Sequence, residues 1–338
     1  IEFAVEEPDR IAFEGLMRAL GFSRAGQHRS KDVTLWQQGD IRIVLNCERE
    51  GFAHSYQITH GTSVCAIALK VADAQATLKR ATALLEKPHV GAIGPGELDI
   101  PAVRGLGGSL VYFLDKETAL GRWAEVDFAP TGEATPGTGL VAVDHISQSM
   151  HYEDMLTWLL FYASLFEVKK TGSQAVMDPG GVVQSQAVES GIDSESGGLR
   201  LILNGSQSNR TLSSRFITEF FGSGVQHIAL RSRDIKTTVR ALLAAGVTML
   251  PIPENYYDDL EARVDLSAAE IDELKALNIL YDRDGTGSFH QAYTTSIANG
   301  FFFEIVQREG YSGYGAPNAG VRLAAQSRLA LPDGMPRS

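Results

Sequence analysis

Cysteine is scarce in this chain of 338 residues, where Cys47 and Cys65 are the only two. Two thiols supply no disulfide framework, and no secretory leader pattern precedes the first strand-like segment, so the sequence predicts a reduced, cytoplasmic setting. No stretch approaches the roughly 18 unbroken apolar residues of a membrane span. Basic residues are also in deficit, with 30 Lys plus Arg against 41 Asp plus Glu and a net charge of −11. We therefore expect no nucleic-acid or membrane partner, and a function on small molecules.

The composition is otherwise that of a globular protein, with 44% hydrophobic and 21% charged residues. Its length allows two cores, because single domains cluster at roughly 100 to 200 residues. The sequence begins without Met, inside a segment with the pattern of a strand. This start predicts a chain cut from a longer protein, although a processed start would look the same.

The second half of the sequence repeats the first in order and in detail. The segments 39–46, 63–69 and 108–114 match 197–204, 224–230 and 300–306, in the same order. Three matches in one order indicate a duplication. A cluster of turn-forming residues separates the two copies. The predicted organisation is an N-terminal metal-free structural half at 1–129, a linker at 130–139 and a C-terminal metal-binding half at 140–338.

Each half is predicted to alternate strands with amphipathic helices. The strands expected in the first half are 1–5, 33–36, 41–46, 63–71 and 109–114, and its helices are 9–20 and 73–85. The second half carries an insertion at 251–289, with an amphipathic helix from Leu266 to Leu277, that either covers the site or decorates the surface. The segment 155–163 is apolar nearly all round, which is typical of a buried helix.

The repeat allows the two copies to be compared position by position. His145 aligns with Phe3, His227 with Ala66 and Glu304 with Tyr112. A His or Glu inside an apolar strand is costly unless its polar atoms are paired, and a metal ion pairs them well.

Two imidazoles and one carboxylate are the ligands of a facial triad for non-haem Fe(II), and Zn(II) accepts the same set. A single strand His is more often a hydrogen-bonded core residue, but three such replacements on three strands favour one metal site per chain. Nucleophilic cysteine chemistry is not expected, because Cys65 lies in an apolar strand.

Further motifs lie at 28–33, 38–39, 43–46, 60–65, 94–98, 105–108, 143–145, 225–227, 303–308 and 313–318. With these motifs the sequence resembles the 4-hydroxyphenylpyruvate dioxygenases, which belong to the vicinal-oxygen-chelate group built from βαβββ modules. The resemblance covers nearly the whole chain. It implies an α+β fold of four such modules in two tandem pseudo-repeat halves, each half a curved β-sheet or open barrel covered by helices. It also implies that His145, His227 and Glu304 bind the metal.

The same resemblance implies a substrate pocket. The matching positions are Ser185, Asn204, Gln226, Gln291, Phe302 and Asn318, together with Tyr293 and Tyr314 where the family usually has Phe. Asn204 has a repeat partner in Asn46, so a strand-end turn is the alternative role for it. Two positions depart from the family, because Leu212 replaces a glutamine and Ala319 an aromatic. Such losses change substrate preference, so 4-hydroxyphenylpyruvate itself is in doubt.

The chain, and especially its segments 255–263 and 280–285, shows a closer resemblance to the C-terminal half of bacterial fusion 3-dehydroshikimate dehydratases. Those proteins act in quinate and shikimate breakdown to protocatechuate. This resemblance implies an N-terminal sugar-phosphate-isomerase-like barrel in the same polypeptide that carries the dehydratase chemistry. The alternatives are an active Fe(II) dioxygenase acting on another α-keto acid, and a non-catalytic assembly or sensing domain that keeps the metal. A Zn(II) or Mg(II) isomerase or lyase of the same fold group is a further possibility.

By resemblance, the ligand is a small keto or hydroxy acid. The metal is Fe(II) if the module is a dioxygenase, with Mg(II), Mn(II), Co(II) and Zn(II) left open. The C-terminal segment 313–326 is predicted to form a lid helix, the alternative being a packed terminal helix. A homo-oligomer is also left open.

Overall fold

A computed structural model describes residues 1–191 and 198–329 of the chain. Gly197, the first residue of one repeated segment, and residues 330–338 of the predicted C-terminal half lie outside the described residues. Within the described residues the secondary structure forms two mixed β-sheets with helices packed against them.

The first sheet is built from residues 1–130. Its strands are β1 (Glu2–Ala4), β2 (Ser23–His28), β3 (Val33–Gln38), β4 (Ile41–Asn46), β5 (Ser63–Lys70), β6 (Ala102–Arg104), β7 (Leu110–Leu114) and β8 (Phe128–Pro130). They lie in the order β6-β7-β5-β1-β4-β3-β2-β8. The helices are α1 (Arg10–Ala19), α2 (Gly51–His60), α3 (Ala74–Ala83) and α4 (Trp123–Asp127). The polar strand β2 and the weakly amphipathic helix α2 were not predicted from the sequence, because neither has a clear periodic pattern of apolar residues.

The second sheet begins after a stretch without regular structure. Its strands are β9 (Leu140–Ser149), β10 (Lys169–Lys170), β11 (Gln174–Asp178), β12 (Gly181–Ser190), β13 (Leu199–Ser206), β14 (Gly224–Ser232), β15 (Leu280–Arg283), β16 (Ser288–Tyr293) and β17 (Phe302–Glu309). They lie in the order β10-β12-β13-β9-β14-β17-β16-β15, and β11 also pairs with β12. The helices are α5 (Met155–Leu165), α6 (Leu212–Glu219), α7 (Ile235–Ala244), α8 (Glu254–Arg263), α9 (Ala268–Ala276) and α10 (Ala316–Leu329).

The insertion forms helices α8 and α9 and strand β15 at the sheet edge. The helix expected from Leu266 to Leu277 is confirmed as α9. It begins at a capping box in which Ser267 and Glu270 satisfy each other's backbone N–H groups. The insertion thus adds two helices and an edge strand to the second half.

The strand registers confirm two of the three repeat alignments. In the first sheet Ala66 pairs with Leu110, and in the second sheet its counterpart His227 pairs with Phe302. Tyr112 lies two residues after Leu110, and its counterpart Glu304 lies two residues after Phe302.

The alignment of His145 with Phe3 is wrong. Phe3 lies opposite Leu45 and Val64, whose counterparts Leu203 and Val225 both lie opposite Gln148. Phe3 is therefore equivalent to Gln148, three residues beyond His145. Because strand side chains alternate with a period of two, a three-residue slip moves a side chain to the other face. β1 offers only a short apolar pattern, which fixes no register.

Helix α5 is less buried than its apolar sequence predicts. It buries Phe161, Tyr162 and Leu165, but Leu156 is 64% and Leu160 58% exposed. None of the helices among the described residues combines the length and apolar character that a membrane crossing requires.

The two sheets share one apolar core. Phe3 of β1 packs edge-on against Phe301, with ring centroids 5.2 Å apart. At the same boundary Gly107 has a φ of +62°, and a Cβ there would lie 1.8 Å from the carbonyl oxygen of Ser223. Gly107 therefore permits a backbone approach between the halves that no other residue allows.

We predict that Gly107→Ala destabilises the protein by roughly 3 kcal/mol or more. About 1 kcal/mol reflects the left-handed backbone and the rest the clash with Ser223. Gly108→Ala is the matched control, because Gly108 has a φ of +77° but open space around its Cα. Urea unfolding of both variants tests this, and equal midpoints would contradict the close-approach role of Gly107.

Candidate metal centre

His145, His227 and Glu304 lie on β9, β14 and β17, which are neighbours in the second sheet. Ala229 on the middle strand lies directly opposite His145 on one side and Glu304 on the other. His227 precedes Ala229 by two residues, so its side chain is on the same face. The sheet register therefore brings the three side chains together.

The three side chains meet at one carboxylate oxygen. His145 Nε2 is 3.1 Å and His227 Nε2 3.3 Å from Glu304 Oε2. One ligand atom from each residue lies within 4.8 Å of the others, and all three residues are buried. Metal bonds of about 2.1 Å at right angles place adjacent donors about 3 Å apart. The group could therefore hold a divalent metal ion.

The ionisable groups of this cluster shift one another's pKa values. Burial opposes the charge of Glu304, but His145 and His227 outweigh it and hold the pKa of that carboxyl well below its usual range. Burial lowers the pKa of His227 to about 4. For His145, burial is outweighed by Glu304 and Asp144, which raise its pKa. Glu304 is thus ionised and His227 is neutral near pH 7, whereas the raised pKa of His145 favours a proton that a bound metal would displace.

Asp144 orients His145. Its Oδ1 lies 2.8 Å from His145 Nδ1, which leaves Nε2 to face the cluster. Two arginines balance Asp144: the partly buried Arg308 donates through Nε to Oδ2 at 2.6 Å, and the buried Arg200 donates through Nη1 to Oδ1 at 3.4 Å. Against the opposing effect of burial, Arg308 and His145 hold the pKa of Asp144 far below its usual range. The imidazole is therefore held in one orientation by an ionised carboxylate.

His227 is positioned by packing. Its ring stacks on Phe302, with centroids 4.8 Å apart and planes 23° from parallel. Its Nδ1 is buried without a hydrogen-bond partner among the described residues.

A cavity of about 50 Å³ adjoins the cluster. Six of the eight predicted substrate residues line it, and the structure therefore brings most of that set to the metal cluster. They are Ser185, Asn204, Gln226, Gln291, Tyr293 and Tyr314. Asn204, which could instead have been a turn residue, donates to Ser147 Oγ at 2.8 Å in the cavity wall. Burial raises the pKa of Tyr314, and a contact with Ser185 opposes the shift.

The other two predicted residues, Phe302 and Asn318, lie behind the wall. Phe302 supports His227, and Asn318 Nδ2 donates to Gln291 Oε1 at 3.0 Å. Gln291 Nε2 donates in turn to Glu304 Oε1 at 2.9 Å. Tyr256 of α8 donates to Asn318 Oδ1 at 3.2 Å. A chain of hydrogen bonds thus joins the insertion and α10 to the triad.

Three polar residues of the cavity wall were missed from the sequence: Ser147, Ser213 and Arg322. Ser147 could have been found as the next residue on the face of His145, and Arg322 as the helical neighbour of Asn318 four residues on. On α6, Ser213 lines the cavity, whereas Leu212 packs against the apolar cluster of Val176, Val183 and Leu323. The departure at Leu212 therefore lies outside the wall, while Ala319 is part of it.

The segment predicted as either a lid or a packed terminal helix forms α10 from Ala316 onward. The helix supplies Ala319, Arg322 and Leu323 to the cavity wall, and Leu323 and Ala325 are buried. The helix is therefore packed against the cavity, and its role as a lid stays a prediction.

We predict that Asp144→Asn weakens metal binding by about 10- to 100-fold, the usual effect of losing the partner that orients a ligand His. It also leaves Arg308 and Arg200 without their shared charge, so the melting temperature should fall. Zn(II) titration against a competing chelator, with thermal melting, measures both. The exposed Asp154→Asn should change neither, and unaltered affinity in Asp144→Asn would contradict the orienting role.

Comparison with known proteins finds similarity to hydroxyphenylpyruvate dioxygenases and to a 3-dehydroshikimate dehydratase. Residues 1–129 match the family model described as hydroxyphenylpyruvate dioxygenase, HPPD, N-terminal. The 4-hydroxyphenylpyruvate dioxygenase of Pseudomonas aeruginosa is 32% identical over 339 residues, covering 94% of this chain and 89% of the relative. The 3-dehydroshikimate dehydratase of Pseudomonas putida is 44% identical over 331 residues, covering 97% of this chain and 51% of the relative. The chain thus spans about half the length of that dehydratase.

A solved structure shares the fold. It is described as a xylose isomerase-like TIM barrel/4-hydroxyphenylpyruvate dioxygenase fusion protein, and it is 43% identical, with a TM-score of 0.83. The match covers 98% of this chain and 52% of that chain. This match confirms the predicted α+β, vicinal-oxygen-chelate class of fold.

Proposed function

This chain belongs to the 4-hydroxyphenylpyruvate dioxygenase family, and from that premise we propose that it is the metal-binding module of a 3-dehydroshikimate dehydratase. One observation carries the proposal: the similarity to the dehydratase covers nearly all of this chain but about half of that protein. In this proposal the other half is a sugar-phosphate-isomerase-like barrel in the same polypeptide, which carries the dehydratase chemistry. The solved fusion structure, whose description names both parts, supports that arrangement.

His145, His227 and Glu304 would hold one divalent metal. Two imidazoles and a carboxylate suit Fe(II), while Mg(II), Mn(II), Co(II) and Zn(II) are alternatives. A metal bound there would supply a Lewis acid and, as iron, a redox centre.

The surrounding residues prepare this donor set. Asp144 accepts the Nδ1 proton of His145, so Nε2 is the nitrogen that faces the cluster and would bind a metal. Gln291 occupies Glu304 Oε1, which leaves Oε2 as the oxygen beside both imidazoles. Helix α10 covers the cavity, and its side chains limit the entry of water.

The ligand in this proposal is a small keto or hydroxy acid. Gln226 is one orienting group, because its Oε1 accepts from Ser149 at 3.0 Å while its amide N–H groups stay available to a ligand. Ser185, Asn204 and Tyr314 supply further polar atoms to the wall. With Ala319 in place of an aromatic, the wall has less surface for stacking, which favours a ligand other than 4-hydroxyphenylpyruvate.

A second candidate is an active α-keto-acid dioxygenase within this module. It is favoured by the fact that the triad and the cavity wall both come from this chain alone. A third is a non-catalytic assembly or sensing role, favoured by the exposed Leu156 and Leu160 on α5.

We predict that the anaerobically loaded protein binds about one Fe(II) per chain. His227→Ala should weaken iron binding by more than about 100-fold, because a ligand matters more than the groups that orient it. Bound iron is measured by metal analysis after desalting. Oxygen uptake is then followed with 4-hydroxyphenylpyruvate, other aromatic α-keto acids and 3-dehydroshikimate.

The control is His151→Ala, which removes an exposed imidazole and should keep full iron content. Oxygen uptake that depends on His227 would identify the dioxygenase candidate and its substrate class. Iron binding without uptake would favour the dehydratase module or the assembly role. Wild-type protein that binds no iron or other divalent metal would exclude the metal-binding function.

A further inference from the structure

Arg322 places a buried positive charge in the wall of the cavity. It lies on α10, is 9% exposed, and lines the cavity beside the triad. Its guanidinium carbon lies 5.4 Å from the ring centroid of Phe302 and 5.7 Å from that of Tyr293. Its Nη1 donates to Gln326 Oε1 at 2.6 Å. The side chain is thus held beside two aromatic rings and forms part of the cavity wall.

No carboxylate pairs with Arg322 among residues 1–191 and 198–329, where Gln326 is its hydrogen-bond partner. Two arginines on strands of the second sheet are paired with carboxylates, since Arg200 contacts Asp144 and Glu189, and Arg308 contacts Asp144. A guanidinium has five N–H donors and stays charged at any ordinary pH. Arg322 therefore keeps donors available for an anionic partner.

The charges of the cavity wall also favour an anionic ligand. Glu304 is the only acidic residue of the described wall, and it faces the two histidines. With a divalent metal bound, Glu304 would neutralise one of its two positive charges, and Arg322 would add another. The cavity would then carry a net positive charge, which a negatively charged ligand would compensate.

The Phe302 ring lies beside both groups. Its centroid is 4.8 Å from that of His227 and 5.4 Å from the guanidinium carbon of Arg322. His227 and Arg322 also belong to the wall of the same cavity. A ligand that carries an anionic group at one end of a small ring and metal-binding oxygens at the other can therefore contact both.

We propose that Arg322 binds the carboxylate of the ligand while two adjacent oxygens at the far side of its ring face the metal. This inference rests on the proposed function and names its ligand class: cyclic or aromatic carboxylates with vicinal hydroxyl or keto oxygens. Arg322 presents a planar fork of donors that fits a carboxylate in two-point contact. In this arrangement the carboxylate is bound by the protein and the metal takes the ring oxygens.

The cavity of about 50 Å³ leaves little room for such a ring, and residues of α10 line it, so we expect α10 to shift when the ligand enters. Because Arg322 belongs to that helix, a bound carboxylate would also hold α10 in place. Ligand affinity and closure of α10 are then coupled through one ion pair.

The test compares two probes that differ only in the carboxylate, 3,4-dihydroxybenzoate and catechol, by calorimetric titration of the Zn(II)-loaded protein. Zn(II) is redox-silent, so binding is measured without turnover. We expect 3,4-dihydroxybenzoate to bind wild type about 10-fold or more tightly than catechol, as charge-assisted hydrogen bonds usually produce. Arg322→Gln should reduce this ratio to about 2-fold or less, because the carboxylate loses its charged partner. Catechol binding should stay nearly constant.

Arg322→Lys keeps the charge but loses the planar fork, so it should retain part of the preference. Arg240→Gln, which removes an exposed arginine on α7, should leave the ratio unchanged. A carboxylate preference that persists in Arg322→Gln, or no binding of either probe to the Zn(II)-loaded wild type, would overturn the proposal.

A second measurement separates this inference from the metal site. Benzoate should raise the melting temperature of metal-free wild type but not of metal-free Arg322→Gln. Metal content is determined independently, so a protein that binds benzoate through Arg322 but no metal would refute the proposed function alone. A benzoate effect of equal size in both proteins would refute the role of Arg322.

Discussion

The buried negative charge of Glu304 is the constraint on which the rest of the site depends. A carboxylate that is 2% exposed in the centre of a sheet is tolerated only if its charge is compensated. Two imidazoles and the amide of Gln291 surround it. His145 then needs Asp144 to fix its orientation, and Asp144 needs Arg308 and Arg200. Each buried charge therefore requires a partner of opposite charge, and the network of charges extends from the triad to Arg200 on β13 and Arg308 on β17.

The backbone makes this cluster possible at low cost. β14 runs between β9 and β17, and its small Ala229 lies between His145 and Glu304. The larger side chains therefore converge above a position that fills little space. In the first sheet the equivalent β5 is flanked by β1 and β7, with Ala66 and Tyr112 in the places of His227 and Glu304. The same frame thus holds a cluster of metal-ligand residues in one sheet and an alanine and a tyrosine in the other, depending on the residues at those positions.

Much of this arrangement could be predicted from the sequence, because the duplicated halves expose replacements inside otherwise apolar strands. His227 and Glu304 were found in this way and in the correct register. His145 was assigned to the cluster with the wrong counterpart, since a short strand without polar markers fixes no register. Arg322 and Ser213 could not be found by that route, because they lie on helices whose docking depends on tertiary contacts. A single sequence also gives no sign that Arg322 lacks an acidic partner, which is a property of the packed structure.

The helix α10 connects access to the cavity with the state of the cluster. Gln291 contacts Glu304 and the Tyr293 hydroxyl through its nitrogen, and its oxygen accepts from Asn318 on α10. Asn318 is held in turn by Tyr256 of the insertion. Displacing α10 to admit a ligand would remove one partner of Gln291 and leave its buried amide oxygen unpaired unless the ligand or water replaces it. A ligand that donates a hydrogen bond to that oxygen would therefore compensate for the loss, whereas one that cannot would bind against the cost of an unsatisfied amide. Selectivity at this site then depends on two contributions. One is the loss of the hydrogen bond between Asn318 and Gln291 when α10 moves, and the other is the set of contacts that the bound molecule makes with the triad.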